Sequence, residues 1–183
     1  MKYYSPIPLE NLETIQSKVL DIFPKDELSK DQSFFYIPDN LKTFFGIPEL
    51  KSALDNLNWS PYVTSFGFYM VNKTEPSGTP IHTDTGDYMY SFNIPILNCT
   101  NTFLNFYKTD KEPVWGSFVA YDKTISYNSF ETTDCILEDR VEMAIPHVIK
   151  VKGPHNVTNL NPLPRVTLLI RLNKELNLEH LFQ

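Results

Sequence analysis

Pro80-Ile-His-Thr-Asp-Thr-Gly-Asp-Tyr-Met-Tyr90 sets an imidazole, His82, and a carboxylate, Asp84, two residues apart, where a β-branched segment runs into a Thr-Gly-Asp turn. In an extended chain residues i and i+2 share a face, so the two side chains can converge on one metal ion. Two protein ligands are too few to hold a catalytic metal. Gly153-Pro154-His155 can supply a third, and Arg165 follows ten residues later on a strand-like run.

Outward from this stretch the pattern is that of strands. Tyr62 to Val71 is β-branched and aromatic and ends at the turn-rich Asn72 to Gly78. Tyr88 to Leu97 and Thr102 to Lys108, separated by Asn98 to Asn101, read as a hairpin. Val114 to Tyr127 is strand-like, Asn128 to Asp134 reads as a polar loop, and Val141 to Val151 and Val166 to Leu172 complete roughly eight short strands. No helical pattern separates them, which points to a barrel or jelly roll rather than an α/β sheet.

Residues 1–60 read as helical support. Leu9 to Phe23 has apolar residues at 9, 12, 15, 19, 20 and 23, which is helical spacing, and Pro24 stops it. A second helix is expected over Pro48 to Leu57. Between them, Phe34 to Pro38 reads as a short strand and Asn40 to Phe45 as a helical turn. The expected fold class is mainly β with N-terminal helices.

A chain of 183 residues with 42% hydrophobic content can bury a full core, and one domain is expected. Its parts are helical support over 1–60, the β core over 61–172 and a tail over 173–183. No stretch is apolar enough to cross a membrane and Met1 to Pro6 has no signal-peptide character, so a cytoplasmic protein is expected. Cys99 and Cys135 are expected as free thiols. The net charge of -6, with no basic cluster longer than Lys150-Val-Lys152, argues against duplex nucleic acid as a partner. Leu178-Glu-His-Leu-Phe-Gln183 is similar to the recognition sequence of a picornaviral cysteine protease used in protein expression; read as a cloning remnant, it takes His180 out of the site.

His-x-Asp alone is a weak signal, since a turn with a polar cap has the same residues. The strand at Arg165 adds to it. Arg165, Thr167, Leu169 and Arg171 share one face, and Val166, Leu168, Ile170 and Leu172 share the other. Such a strand packs its aliphatic face on a scaffold and turns Arg165 and Thr167 the other way; the bland alternative leaves Arg165 and Arg171 in water. Arg suits bidentate capture of a carboxylate and Thr adds a hydroxyl, so the pair would anchor a diacid.

In this order and spacing, His82-Thr-Asp84, His155 and Arg165-Val-Thr167 resemble the pattern of the Fe(II)- and 2-oxoglutarate-dependent oxygenases, with Thr where Ser is commoner. The resemblance spans residues 62–172, the size of that family's double-stranded β-helix core, with residues 1–60 in place of its helical buttress. It implies Fe(II) held by His82, Asp84 and His155, and 2-oxoglutarate chelating the metal while its 5-carboxylate meets Arg165 and Thr167. It also implies a contact from Tyr69, for which a core role is the alternative. Two His and one carboxylate on one face leave three metal sites open for 2-oxoglutarate and O2. The implied reaction is hydroxylation of a small molecule, an amino acid or an exposed side chain, with release of succinate and CO2.

His147 is the other candidate for the third ligand, but no Arg follows it at the same interval, and it reads as a strand residue. Asp87 reads as a turn residue beside Gly86. Tyr88, Tyr90, Asn93, Asn105 and Trp115 are candidates to line a substrate pocket, or else core. Two other functions stay open at this point: a cupin-like metalloenzyme that does not use 2-oxoglutarate, and a metal-free jelly-roll binding module.

Overall fold

The computed structural model describes residues 2–29, 34–36, 41–120 and 123–183. Among these, the strands are β1 (Tyr4–Pro6), β2 (Phe34–Tyr36), β3 (Val63–Val71), β4 (Ile81–Asp84), β5 (Tyr88–Leu97), β6 (Thr102–Lys108), β7 (Val114–Ala120), β8 (Lys123–Phe130), β9 (Ile136–Glu142), β10 (His147–Lys150), β11 (His155–Asn159) and β12 (Arg165–Asn173). The helices are α1 (Leu12–Ile22), α2 (Leu41–Phe45) and α3 (Pro48–Asn56). Ile37, Pro38 and Asn40, at the ends of the strand and turn expected there, lie outside the described residues.

Two antiparallel six-stranded sheets result. The first runs β1-β10-β5-β12-β3-β2 and the second β7-β8-β4-β11-β6-β9. From β3 onward the chain alternates between them: β3 first, β4 second, β5 first, β6 second, then β9 second, β10 first, β11 second and β12 first. The β7–β8 pair is a hairpin added to the edge of the second sheet beside β4.

Parity on β12 decides where the core lies. Val166, Leu168, Ile170 and Leu172 join Phe66, Phe68, Phe92 and Ile94 in a cluster with Ile15 and Val19 of α1, Leu50 and Leu54 of α3, and Phe44 of α2. The helices therefore cover the outer face of the first sheet; each fully buried aliphatic or aromatic side chain there is worth about 1.5–3 kcal/mol. The opposite face of that sheet meets the second sheet. Val71 and Ile149 of the first pack with Leu104, Phe106 and Val157 of the second, and Tyr3 stacks on Phe106 at 4.9 Å between centroids.

Several expectations need correction. Tyr88–Leu97 and Thr102–Lys108 are not a hairpin. β5 pairs with β10 and β12, whereas β6 pairs with β9 and β11 in the other sheet. Asn98 and Asn101, at φ 52° and 53°, turn the chain across that gap in the left-handed region that Asn tolerates. Asn98 Nδ2 fixes the corner by donating to Pro164 O at 2.8 Å. Asn128 and Ser129, despite their polar character, belong to β8 and pair with Trp115 and Val114, and Phe130 pairs with Ile81 of β4. The run from Val141 to Val151 is broken by Met143 to Pro146 into the end of β9 and β10. At the C-terminus, Leu178 and Phe182 are buried in the main core, and Phe182 stacks on Tyr90 at 5.7 Å. The segment Leu178 to Gln183 thus packs on the scaffold through Leu178 and Phe182.

Candidate metal centre

β4 and β11 lie side by side with His82 and His155 as register partners. Asp84 is two residues on from His82 on the same face. One nitrogen from each imidazole and one carboxylate oxygen from Asp84 all lie within 4.8 Å of one another. The His82 and His155 rings are 4.6 Å apart, and His82 Nε2 is 3.6 Å from Asp84 Oδ1.

The backbone sets the orientation of both rings. His82 Nδ1 bonds the carbonyl of Pro80 at 2.9 Å, and His155 Nδ1 bonds the carbonyl of Gly153 at 2.9 Å. As a carbonyl only accepts, Nδ1 carries the proton in each ring and Nε2 keeps its lone pair for a ligand. The prolines at 80 and 154 stiffen the two approaches. Asn156 locks them together: its Nδ2 donates to Ser77 O and Thr79 O at 2.7 and 2.8 Å, while its Oδ1 accepts from Asn105 Nδ2 at 2.7 Å. Asn105 thus belongs to a structural network on the outer side of the second sheet.

The charge of Asp84 is balanced by Arg171, which shares the face of Arg165 and for which a place in water was the alternative. Arg171 Nη1 lies 2.7 Å from Asp84 Oδ2, with both side chains 11% exposed. No N–H is aimed at Oδ2, so the contact is coulombic. The guanidinium also sits over the Tyr88 ring, 4.8 Å from its centroid. Burial acts to push the Asp84 carboxyl up, but Arg171, His155, His82 and Lys152 outweigh it and hold the carboxyl below its usual range. Its other oxygen, Oδ1, faces the imidazoles. Two imidazoles and one carboxylate are a donor set suited to a first-row divalent transition metal.

Burial pushes His155 down to about 4, helped by His82 and opposed by Asp84. An unfolded His takes up a proton near pH 6.5, so between that pH and about 4 the unfolded chain binds more protons. The stability of the metal-free protein is then fully present above pH 6.5 and falls as pH drops toward 4. In urea melts across that window, His155→Gln should flatten the slope. An unchanged slope would place the acid sensitivity elsewhere.

Arg165 is 1% exposed, and its Nε and Nη1 meet no hydrogen-bond partner among the described residues. Thr167, also 1% exposed, is two residues on along the same face, and its register partner on β3 is Tyr69. Burial pushes the Tyr69 phenol up, while its bond to Thr79 and the charge of Arg165 act the other way; Asp84 is also within electrostatic reach. Tyr69 is therefore within electrostatic reach of both Arg165 and Asp84.

The remaining candidates separate cleanly. His147 lies on β10 in the first sheet, outside the triad. Asp87 is exposed and pairs with Lys174 at 2.8 Å. Tyr90 faces the helical core, with its hydroxyl on Glu179. Trp115 is 72% exposed on the added hairpin. Tyr88 and Asn93 stay on the side of the site. Arg171 was legible only as the fourth member of the Arg165 face.

No protein-family model and no curated protein matches the chain. Among solved structures it is similar to EvdMO1, with a TM-score of 0.50 at 15% identity over 96% of this chain and 48% of that one. It is similar also to AviO1 from Streptomyces viridochromogenes Tue57, at 0.49 and 14% over 94% and 90% of the two chains. A prolyl-4-hydroxylase from Pseudomonas putida follows at 0.43 and 10%, over 94% and 93%. The chain spans about half the length of EvdMO1, and what it shares with that protein at this identity is the fold.

Proposed function

We propose that the chain is a non-haem Fe(II)- and 2-oxoglutarate-dependent oxygenase built on a double-stranded β-helix. The alternation of β3–β6 and β9–β12 between two facing sheets supports the fold reading. The observation that carries the function is Arg165. A guanidinium with two orphaned nitrogens, Nε and Nη1, sealed at the sheet interface, costs free energy unless an anion completes it. Thr167 and Tyr69 add hydroxyls beside it, as a carboxylate needs.

In this reading His82, Asp84 and His155 hold the iron, and Arg165 with Thr167 holds the 5-carboxylate of 2-oxoglutarate. With O2 as oxidant, the two cofactors would supply oxidative decarboxylation of 2-oxoglutarate to succinate and CO2, one oxygen atom going to succinate and the other to the hydroxyl formed at an unreactive C–H bond. The residues of the chain do the rest. The Pro80 and Gly153 carbonyls keep both imidazoles in the tautomer that presents Nε2. Arg171 holds one oxygen of Asp84, leaving the other for the metal. The packed sheets exclude bulk water from Arg165, which strengthens its pairing with a carboxylate.

The reading is tested by turnover without substrate. Fe(II)-loaded protein with 2-oxoglutarate and O2 should release succinate and CO2 slowly, and His82→Ala should stop it. Bound iron with no succinate above the protein-free control would contradict the reading and favour a metalloenzyme that does not use 2-oxoglutarate.

A further inference from the structure

The face of the first sheet that meets the triad carries polar groups that the reaction above does not use. On β5, Tyr90, Phe92, Ile94 and Ile96 face the helices, so Ser91 and Asn93 face the second sheet. His147 on β10 pairs in register with Asn93 and shares the side of Ile149, which packs between the sheets. Ser91 pairs with Arg171, the residue on Asp84. Asn93 and His147 thus lie one row from Arg171, about 7 Å along the strands.

Both side chains are buried, at 4% and 3% exposure, and both are half engaged. Ser91 Oγ donates to Asn93 Oδ1 at 2.5 Å, which fixes the amide and leaves its N–H groups free. His147 Nδ1 bonds the carbonyl of Ile145 at 2.8 Å, the device that orients His82 and His155, and Nε2 keeps its lone pair. Burial pushes His147 down, which keeps the ring neutral. Neither Asn93 Nδ2 nor His147 Nε2 meets a partner among the described residues, and neither is sealed from solvent.

We propose that Asn93 and His147 form a substrate subsite for an amide group, whose carbonyl oxygen accepts from Asn93 Nδ2 and whose N–H donates to His147 Nε2. The two protein atoms present one donor and one acceptor from neighbouring strands. A carboxylate would set an oxygen against the His147 lone pair, and an ammonium would leave the Asn93 N–H unmet. An amide matches both. The inference rests on the oxygenase reading for what happens to the substrate, though not for the recognition itself. Within that reading it selects peptide-like or carboxamide substrates over free acids and amines.

The test is nitrogen NMR on the full chain, labelled in His and Asn side chains and loaded with Zn(II) and 2-oxoglutarate, titrated with N-methylacetamide, acetate and methylammonium. N-methylacetamide should shift the His147 Nε2 and Asn93 Nδ2 signals saturably, and the two ions should not. The near-isosteric Asn93→Asp, and His147→Phe, should each weaken the amide response at least tenfold while the His82 and His155 signals keep their Zn(II) shifts. An equal response to acetate, no response to the amide, or an amide response unchanged in both variants would overturn the proposal. Failure of the metal reading is separable, because it would appear as His82 and His155 signals indifferent to Zn(II).

Discussion

Arg165→Met should weaken 2-oxoglutarate binding sharply and, in the metal-free protein, raise the melting temperature. The two effects share one cause. Arg165 is buried with two unpartnered nitrogens, Nε and Nη1, and methionine of similar length fills the space with no charge to leave unpaired. Replacing a poorly compensated buried charge by a packed apolar side chain stabilises by about 1–4 kcal/mol, or several degrees for a domain of this size, at roughly 2–4 °C per kcal/mol. In the loaded state the sign reverses. Loss of one partner of a buried charge pair costs about 2–5 kcal/mol, so affinity for 2-oxoglutarate should fall by roughly 30-fold to several thousandfold. Calorimetric titration and a thermal melt on the same preparation check both. A variant that binds 2-oxoglutarate as the wild type does would remove Arg165 from the site, whatever its stability.

His155→Ala should remove the metal. With His155 gone, two of the three converging donors remain, and bound iron after desalting should drop by at least about a hundredfold in affinity, beyond the 10–100-fold typical of outer-shell changes. Asp87→Ala is the control. That carboxylate is exposed and paired with Lys174, so its removal should leave iron content unchanged. Elemental analysis of the two variants separates them, and iron retained by His155→Ala would reopen the ligand set.

The parts of this structure legible in the sequence are those set by local periodicity. His82 and Asp84 share a face because any strand has period two, and the same rule sorted Val166, Leu168, Ile170 and Leu172 toward the helices and Arg165 and Thr167 away from them. The extents of α1 and α3 followed from apolar spacing and from Pro48, within a few residues. Pairing was not legible. Alternation says which face a residue takes and not which sheet its strand joins, so β5 and β6 looked like a hairpin although Asn98 and Asn101 carry the chain between sheets. Arg171 escaped for a related reason: its partner, Asp84, is remote in sequence, and nothing near Arg171 distinguishes a buried ion pair from an exposed face. β1 was missed because Tyr4-Ser-Pro6 is too short to show a period; only its pairing with β10 makes it a strand.

These contacts also connect the fold to the proposed chemistry. The Asn156 network ties the approach to β4 onto β11, which brings His82 beside His155. β12 then runs along the opposite wall, presenting Arg171 to Asp84 and burying Arg165 farther along the same strand.

The most direct measurement is an anaerobic titration of the metal-free protein with Fe(II) and then 2-oxoglutarate, following the visible charge-transfer band that arises when the keto acid chelates iron. A saturable band in the wild type, absent in His155→Ala and weakened in Arg165→Met, is the expected result. Iron bound without a band at any 2-oxoglutarate concentration would contradict the account, and no bound iron would remove its metal centre altogether.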